Sequence, residues 1–110
     1  MITATLNAYP GAHSRRQNVT SLFGTLVFSG SYTTLGDTLT LPPHTGLDTS
    51  ASHVVQVYIT GIVGYQYQYN QVAGKVVIQA NDSNNELSAG PYPGDLTGDT
   101  VHFEAIIKNT

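Results

Sequence analysis

Apolar and polar residues alternate from the start of the chain. Ile2, Ala4, Leu6 and Ala8 share one parity and Thr3, Thr5, Asn7 and Tyr9 the other, the period of a half-buried strand. Pro10-Gly11 then supplies a turn. The next segment, Gln17 to Ser29, sets Leu22, Gly24, Leu26 and Phe28 against Val19, Phe23 and Val27. Apolar residues on both parities predict a strand covered on both faces over part of its length, and Gly24 inside it predicts a bulge or a close crossing. His53 to Ile62 places Val55, Val57 and Ile59 against Val54, Gln56, Tyr58 and Thr60. Thr100 to Lys108 places Val101, Phe103, Ala105 and Ile107 against His102, Glu104, Ile106 and Lys108.

Between these strands, Gly61 and Gly64 bracket a bend that leads into Tyr65 to Asn70, where tyrosines and amides alternate strictly. A short connection, Gln71 to Gly74, joins that segment to Lys75 to Ala80 and predicts an antiparallel hairpin. Gly30 to Ser52 is the least regular stretch; Gly36-Asp37 is a turn signal, Thr38 to Leu41 is a brief strand, and Pro42-Pro43 excludes a central strand because it removes two ladder donors. Pro42-Pro43 is also the one place where a helical turn fits, since proline is accepted in a first turn. Asn81 to Asp99 is again rich in turns, with a short edge strand at Glu86 to Ala89. No segment carries a helical stripe. The pattern predicts an all-β fold: one antiparallel β-sandwich, jelly-roll or immunoglobulin-like, with six to eight short strands over residues 1–110 and no significant helix.

Composition narrows the chemistry. The 110 residues suit one domain. Cysteine and tryptophan are absent, which excludes a disulfide scaffold, a thiolate zinc site and a cysteine nucleophile. Charged residues are only 10% of the chain and the formal charge is -3, so nucleic acid is not an expected partner. The apolar runs are too short for a membrane-spanning helix, and the first residues lack the basic region of a signal peptide. A soluble protein with no membrane partner is therefore expected. With so little charge, the surface must be largely Thr, Ser, Asn, Gln and Tyr, groups that are cheaper to desolvate than Lys or Glu and that suit packing against other protein.

Candidate reactive groups form no motif. There is no G-x-S-x-G elbow, and His13, His44, His53 and His102 stand at no spacing that predicts a triad or a metal site. No enzyme activity, catalytic residue, metal or cofactor is expected. The run Asn81-Asp82-Ser83-Asn84-Asn85-Glu86 offers oxygen ligands but lacks the glycine and terminal glutamate spacing of an EF-hand loop, and reads as a solvated loop tip. Asn18-Val19-Thr20 and Asn81-Asp82-Ser83 match the glycosylation pattern by chance. The sharpest local feature is Tyr65, Tyr67 and Tyr69, three same-face rings about 7 Å apart. They are either packing at the rim of the core or an exposed aromatic strip for a protein or a sugar. Arg15-Arg16 is the one clustered positive charge and could reach an acidic partner. These five residues are the candidate interface.

The order of short motifs carries a resemblance: Tyr9-Pro10-Gly11, Ser31-Tyr32-Thr33-Thr34 before Gly36-Asp37, Leu39, Gly46-Leu47, Gly64-Tyr65-x-Tyr67-x-Tyr69, Gly74-Lys75, Asp95-Leu96-Thr97 and Phe103-x-Ala105. Over nearly its whole length the chain resembles a family of small all-β proteins of tailed bacteriophages, encoded near the major capsid gene. It departs from that family at Leu35, Tyr67 and Asn70, where members often carry Gly, Phe and Asp. The resemblance implies an auxiliary virion protein, a decoration or cement protein that binds the major capsid protein on the outer head surface. It would be made in the host cytoplasm and would self-associate around a capsid symmetry axis. The alternatives are a carbohydrate-binding β-sandwich that displays the tyrosines, and a neck or tail component of the virion.

Overall fold

A computed structural model describes residues 1–7, 13–15, 19–44, 47–83 and 85–108, with the side chains of 13–15 excepted. The turn expected at Pro10-Gly11, the strand positions Ala8, Tyr9 and Gln17, and Asn18, Gly46 and Asn84 lie outside the described residues. The strands are β1 (Ile2–Leu6), β2 (His13–Arg15), β3 (Val19–Phe28), β4 (Ser31–Tyr32), β5 (Asp37–Thr38), β6 (Val54–Thr60), β7 (Gln66–Asn70), β8 (Lys75–Gln79), β9 (Gly90–Pro91) and β10 (Val101–Lys108). Two single helical turns complete the fold: a 3-10 turn at Ala51–His53 and α1 at Gly94–Thr97. Neither falls at Pro42-Pro43. The fold is all-β and antiparallel, as the alternation predicts.

The strands divide among three sheets, where two are expected. The largest runs β1-β3-β10-β6, with β2 also paired to β3. β5-β8-β7 form the second, and the short pair β4-β9 the third. β3 is the longest strand because it serves three partners. Its first half pairs with β2, its second half with β1, and its other edge follows β10 from Val101↔Leu26 to Lys108↔Val19. One core fills the space between the large sheet and the β7-β8 hairpin: Leu22, Leu26, Val57, Phe103, Ala105 and Ile107 from the former, Val76 and Ile78 from the latter. Tyr32, Leu39, Tyr92 and Leu96 close it from the connections. The expected strand at Thr38 to Leu41 shrinks to Asp37–Thr38, and Leu39 and Leu41 enter the core as irregular chain. The edge strand expected at Glu86 to Ala89 reduces to a bridge between Gln79 and Glu86, with β9 following it.

Two backbone positions show why particular residues stand where they do. Gly24 is a close crossing within a regular ladder, paired to Leu6 on one side and Phe103 on the other. A Cβ there would overlap the Thr5 carbonyl and sit 2.8 Å from Phe103 Cε1. Leu35, in the turn closed by the Gly36 N–H to the Thr33 carbonyl at 2.9 Å, has φ of 72°, a left-handed conformation that favours glycine. Glu86 holds it there, accepting from the Leu35 N–H at 2.6 Å. On the far face of β3, Ser21 is fully buried and Phe23 half-buried, the double coverage that mixed parity predicts.

Gly24→Ala is expected to cost on the order of 3 kcal/mol or more, because backbone on one side and a core ring on the other leave no room to relax. Chemical denaturation measures this, and an unchanged midpoint would show that β1 and β3 do not cross this closely.

Candidate functional site

The candidate site begins at the bend between β6 and β7. Gly64 takes a φ of 99°, and the bend is clamped from outside by the turn that follows α1. Asp99 accepts the Ile62 N–H at 2.9 Å and the Val63 N–H at 3.5 Å. Asn81 donates from Nδ2 to the Val63 carbonyl at 3.3 Å and to Asp95 Oδ2 at 3.2 Å. Asp95 also accepts the Tyr65 hydroxyl at 2.8 Å. Asp99 satisfies bend amides that no strand pairs, and the side chains of Ile62 and Val63 stay in solvent at 76% and 39% exposure.

Beyond the bend, the pleat of β7 points its tyrosines one way and its amides the other. Gln66, Gln68 and Asn70 are exposed; Tyr65 and Tyr69 are buried and Tyr67 half-buried. The ring of Tyr67 stacks on Phe28 of the large sheet at 5.6 Å and 14°. Its hydroxyl is buried with no hydrogen-bond partner. Tyr69 closes one wall of a cleft of about 150 Å³ shared with Leu39, Leu41, Val54 and Val57. Tyr67 therefore joins the two sheets, and of the two readings of the tyrosines the structure has the packed one: these buried and half-buried rings form no exposed aromatic strip. Burial, then the Asp95 carboxylate, pushes the Tyr65 hydroxyl up to about 12. Burial also raises Tyr67 and Tyr69 above the ordinary phenol value.

A second polar cluster ties the connections around β4, β5 and β9. Glu86 accepts the Tyr32 hydroxyl at 2.6 Å, and that hydroxyl accepts the Ile78 N–H at 3.2 Å. Asp37 accepts the Tyr92 hydroxyl and the Thr33 N–H, with the terminal ammonium 3.6 Å away. Burial works against the Asp37 carboxylate, but the Tyr92 and Thr33 hydrogen bonds and the ammonium together hold it below its usual range. Burial first, and Glu86 second, pushes Tyr32 to about 12.

The remaining candidates do not converge on the tyrosines. Arg15 lies in β2, paired to Thr20, on the flank of β3 away from β10 and β6; Arg16 lies outside the described residues. His53 contacts Asp48 at 3.4 Å, and among the described residues no three acidic or imidazole groups gather as metal ligands. The Asn81 to Glu86 run, expected as a solvated tip, instead works at its ends: Asn81 clamps the bend and Glu86 holds Tyr32 and Leu35.

The surface that motif reading missed is set by what it lacks. Residues 49–74 contain no Asp, Glu, Lys or Arg, and they build β6, the bend, β7 and its turn. This stretch exposes Tyr58, Ile62, Val63 and Val72, the last completely. Between β6 and β7 it opens a groove of about 240 Å³ walled by Gln56, Tyr58, Thr60, Tyr67 and Gln68. A charge count along the chain would have found it. No family model, curated protein or solved structure matches the chain.

Tyr67→Phe is expected to leave stability unchanged or raise it by up to about 1 kcal/mol, because it removes a buried hydroxyl without a partner. Tyr65→Phe should lower it by about 1 kcal/mol or more, by removing a hydrogen bond to a carboxylate. Thermal melts of the pair check both, and equal effects would contradict the geometry. In alkali, a tyrosine whose folded value is raised contributes stability that is complete below the ordinary phenol value of about 10 and is lost as pH rises towards the folded value. Phenolate formation at Tyr32, Tyr65, Tyr67, Tyr69 and Tyr92 should therefore coincide with unfolding. Their smooth ionisation in a folded chain would refute this burial pattern.

Proposed function

We propose that this chain is a non-enzymatic auxiliary protein of a tailed-bacteriophage virion, bound as a decoration or cement protein to the major capsid protein on the outer head surface. The observation that carries the reading is the uncharged stretch 49–74, whose strands and turns expose Tyr58, Ile62, Val63 and Val72. Neutral amides and hydroxyls around exposed apolar side chains are cheap to desolvate and suit contact with protein. The acidic groups of the connections, Asp37, Glu86, Asp95 and Asp99, are engaged in holding turns, and among the described residues the one carboxylate set beside Tyr58 is Glu104, opposite it on β10. The motif order that resembles the phage family adds the partner. A glycan-binding reading loses support, since the rings that would stack on a sugar lie between the sheets.

Particles purified from the phage that encodes this chain should carry it at a fixed ratio to the major capsid protein. Binding should survive a rise from about 50 to about 500 mM salt, over which screening shortens to a few ångströms. Tyr58→Asp should lower occupancy several-fold, roughly the effect of losing one interface anchor. Release by salt would move the contact to Arg15, Arg16 and the acidic turns. Recovery on necks or tails alone would move the protein to that part of the virion, and absence from particles would overturn the reading.

A further inference from the structure

Tyrosine hydroxyls end in protein at four places in this fold. Tyr32, Tyr65 and Tyr92 each meet a carboxylate, and the Tyr67 hydroxyl is buried. Tyr69 differs. The residue is only 7% exposed, yet no described residue bonds to its hydroxyl, and its side chain lines the cleft of about 150 Å³ beside β5. Gly74 shows where the hydroxyl points: a Cβ at that position would stand 4.0 Å from the Tyr69 oxygen and 3.5 Å from the Ala51 Cβ, and all three residues line the cleft. Leu39, Leu41, Val54 and Val57, all buried, supply the apolar lining. Thr38, Thr40, Thr49 and Ser50 add hydroxyls, and among the described residues no charged side chain lines the cleft.

The walls are fixed by the fold. On one side the Leu39 N–H donates to the Gly74 carbonyl at 3.0 Å and the Gly74 N–H to the Asn70 carbonyl at 2.8 Å. On the other, the Ser50 N–H donates to Asp48 Oδ1 at 3.0 Å and the His53 N–H to the Ser50 carbonyl at 2.9 Å. With these amides engaged, hydroxyls are the chief polar groups a ligand would meet, and Tyr69 is the buried one among them. A charged group would lose its water against Leu39 and Val54 with no opposite charge to replace it. A hydrocarbon would fill the lining but leave the Tyr69 hydroxyl with neither water nor partner. The volume admits about one six-membered ring. We propose that this cleft is a binding site for an uncharged, ring-sized molecule with one hydrogen-bonding oxygen, its apolar part seated on Leu39, Leu41, Val54 and Val57 and its oxygen bonded to the Tyr69 hydroxyl. A phenol hydroxyl both donates and accepts, so it serves a carbonyl or an alcohol alike. The site is separate from the particle contact, since Tyr58, Ile62, Val63 and Val72 do not line the cleft.

Titration of the full-length protein alone with phenol, with its hydrocarbon isostere toluene and with benzoate, each to about 5 mM and followed by NMR, tests the site. Phenol should shift the signals of Leu39, Val54, Val57 and Gly74 saturably, with a Kd of about 1 mM or below, an affinity within reach of a ligand of about seven non-hydrogen atoms. Tyr69→Phe should weaken phenol roughly three- to tenfold, the loss of one neutral hydrogen bond, while toluene binding holds or tightens. A general loosening of the fold would weaken both compounds together. Benzoate should bind at least about tenfold more weakly than phenol. Ala51→Leu should weaken phenol and toluene alike by taking their space. Ala51 is exposed and the Tyr69 hydroxyl has no partner, so both variants should keep the wild-type far-UV spectrum. In the wild type alone, phenol shifts that do not saturate, or that centre on other residues, overturn the proposal. So does a Tyr69→Phe chain that binds phenol unchanged or loses phenol and toluene equally.

Discussion

The pairing of β3 with β10 is the constraint on which the rest of the molecule depends. These strands lie far apart in sequence, yet their ladder runs the length of β10 and forms the centre of the large sheet. It sets Leu22 beside Ala105 and Leu26 beside Val101, all deeply buried. One missing side chain makes it possible: at Gly24 the β1 backbone and the Phe103 ring occupy the space a Cβ would need. A register slip by one residue would carry every inward residue of β3 to the other face, so this crossing fixes the register of β1, β3 and β10 together.

The tyrosines play the corresponding role between sheets. Tyr67 reaches from β7 to Phe28, and Phe28 in turn meets Tyr92 at 5.5 Å, which meets Tyr32 at 6.0 Å. Rings at such separations add to their own burial, and their hydroxyls carry the fold outward. Tyr32, Tyr65 and Tyr92 each end on a carboxylate in a connecting segment. In a chain with few charges, those carboxylates order long turns that lack ladder partners of their own. The same economy leaves residues 49–74 without charge.

Period-two alternation by itself determined the all-β class, the course of the long strands and the β7-β8 hairpin, because a strand with one face in a core must place apolar residues at every second position. It also marked Gly24 as special. It left two matters to the tertiary structure. Alternation separates the two faces of β7 but does not say which is buried, since tyrosine is at home on either; the position of Phe28 across the core decided that Tyr65, Tyr67 and Tyr69 face inward. The partners of Asp37, Glu86, Asp95 and Asp99 were equally invisible, because each holds groups that the fold, and not the chain order, brings near. The short strands β4, β5 and β9 belong with them: two residues carry no readable period, and they pair only once the long strands have brought their ends together.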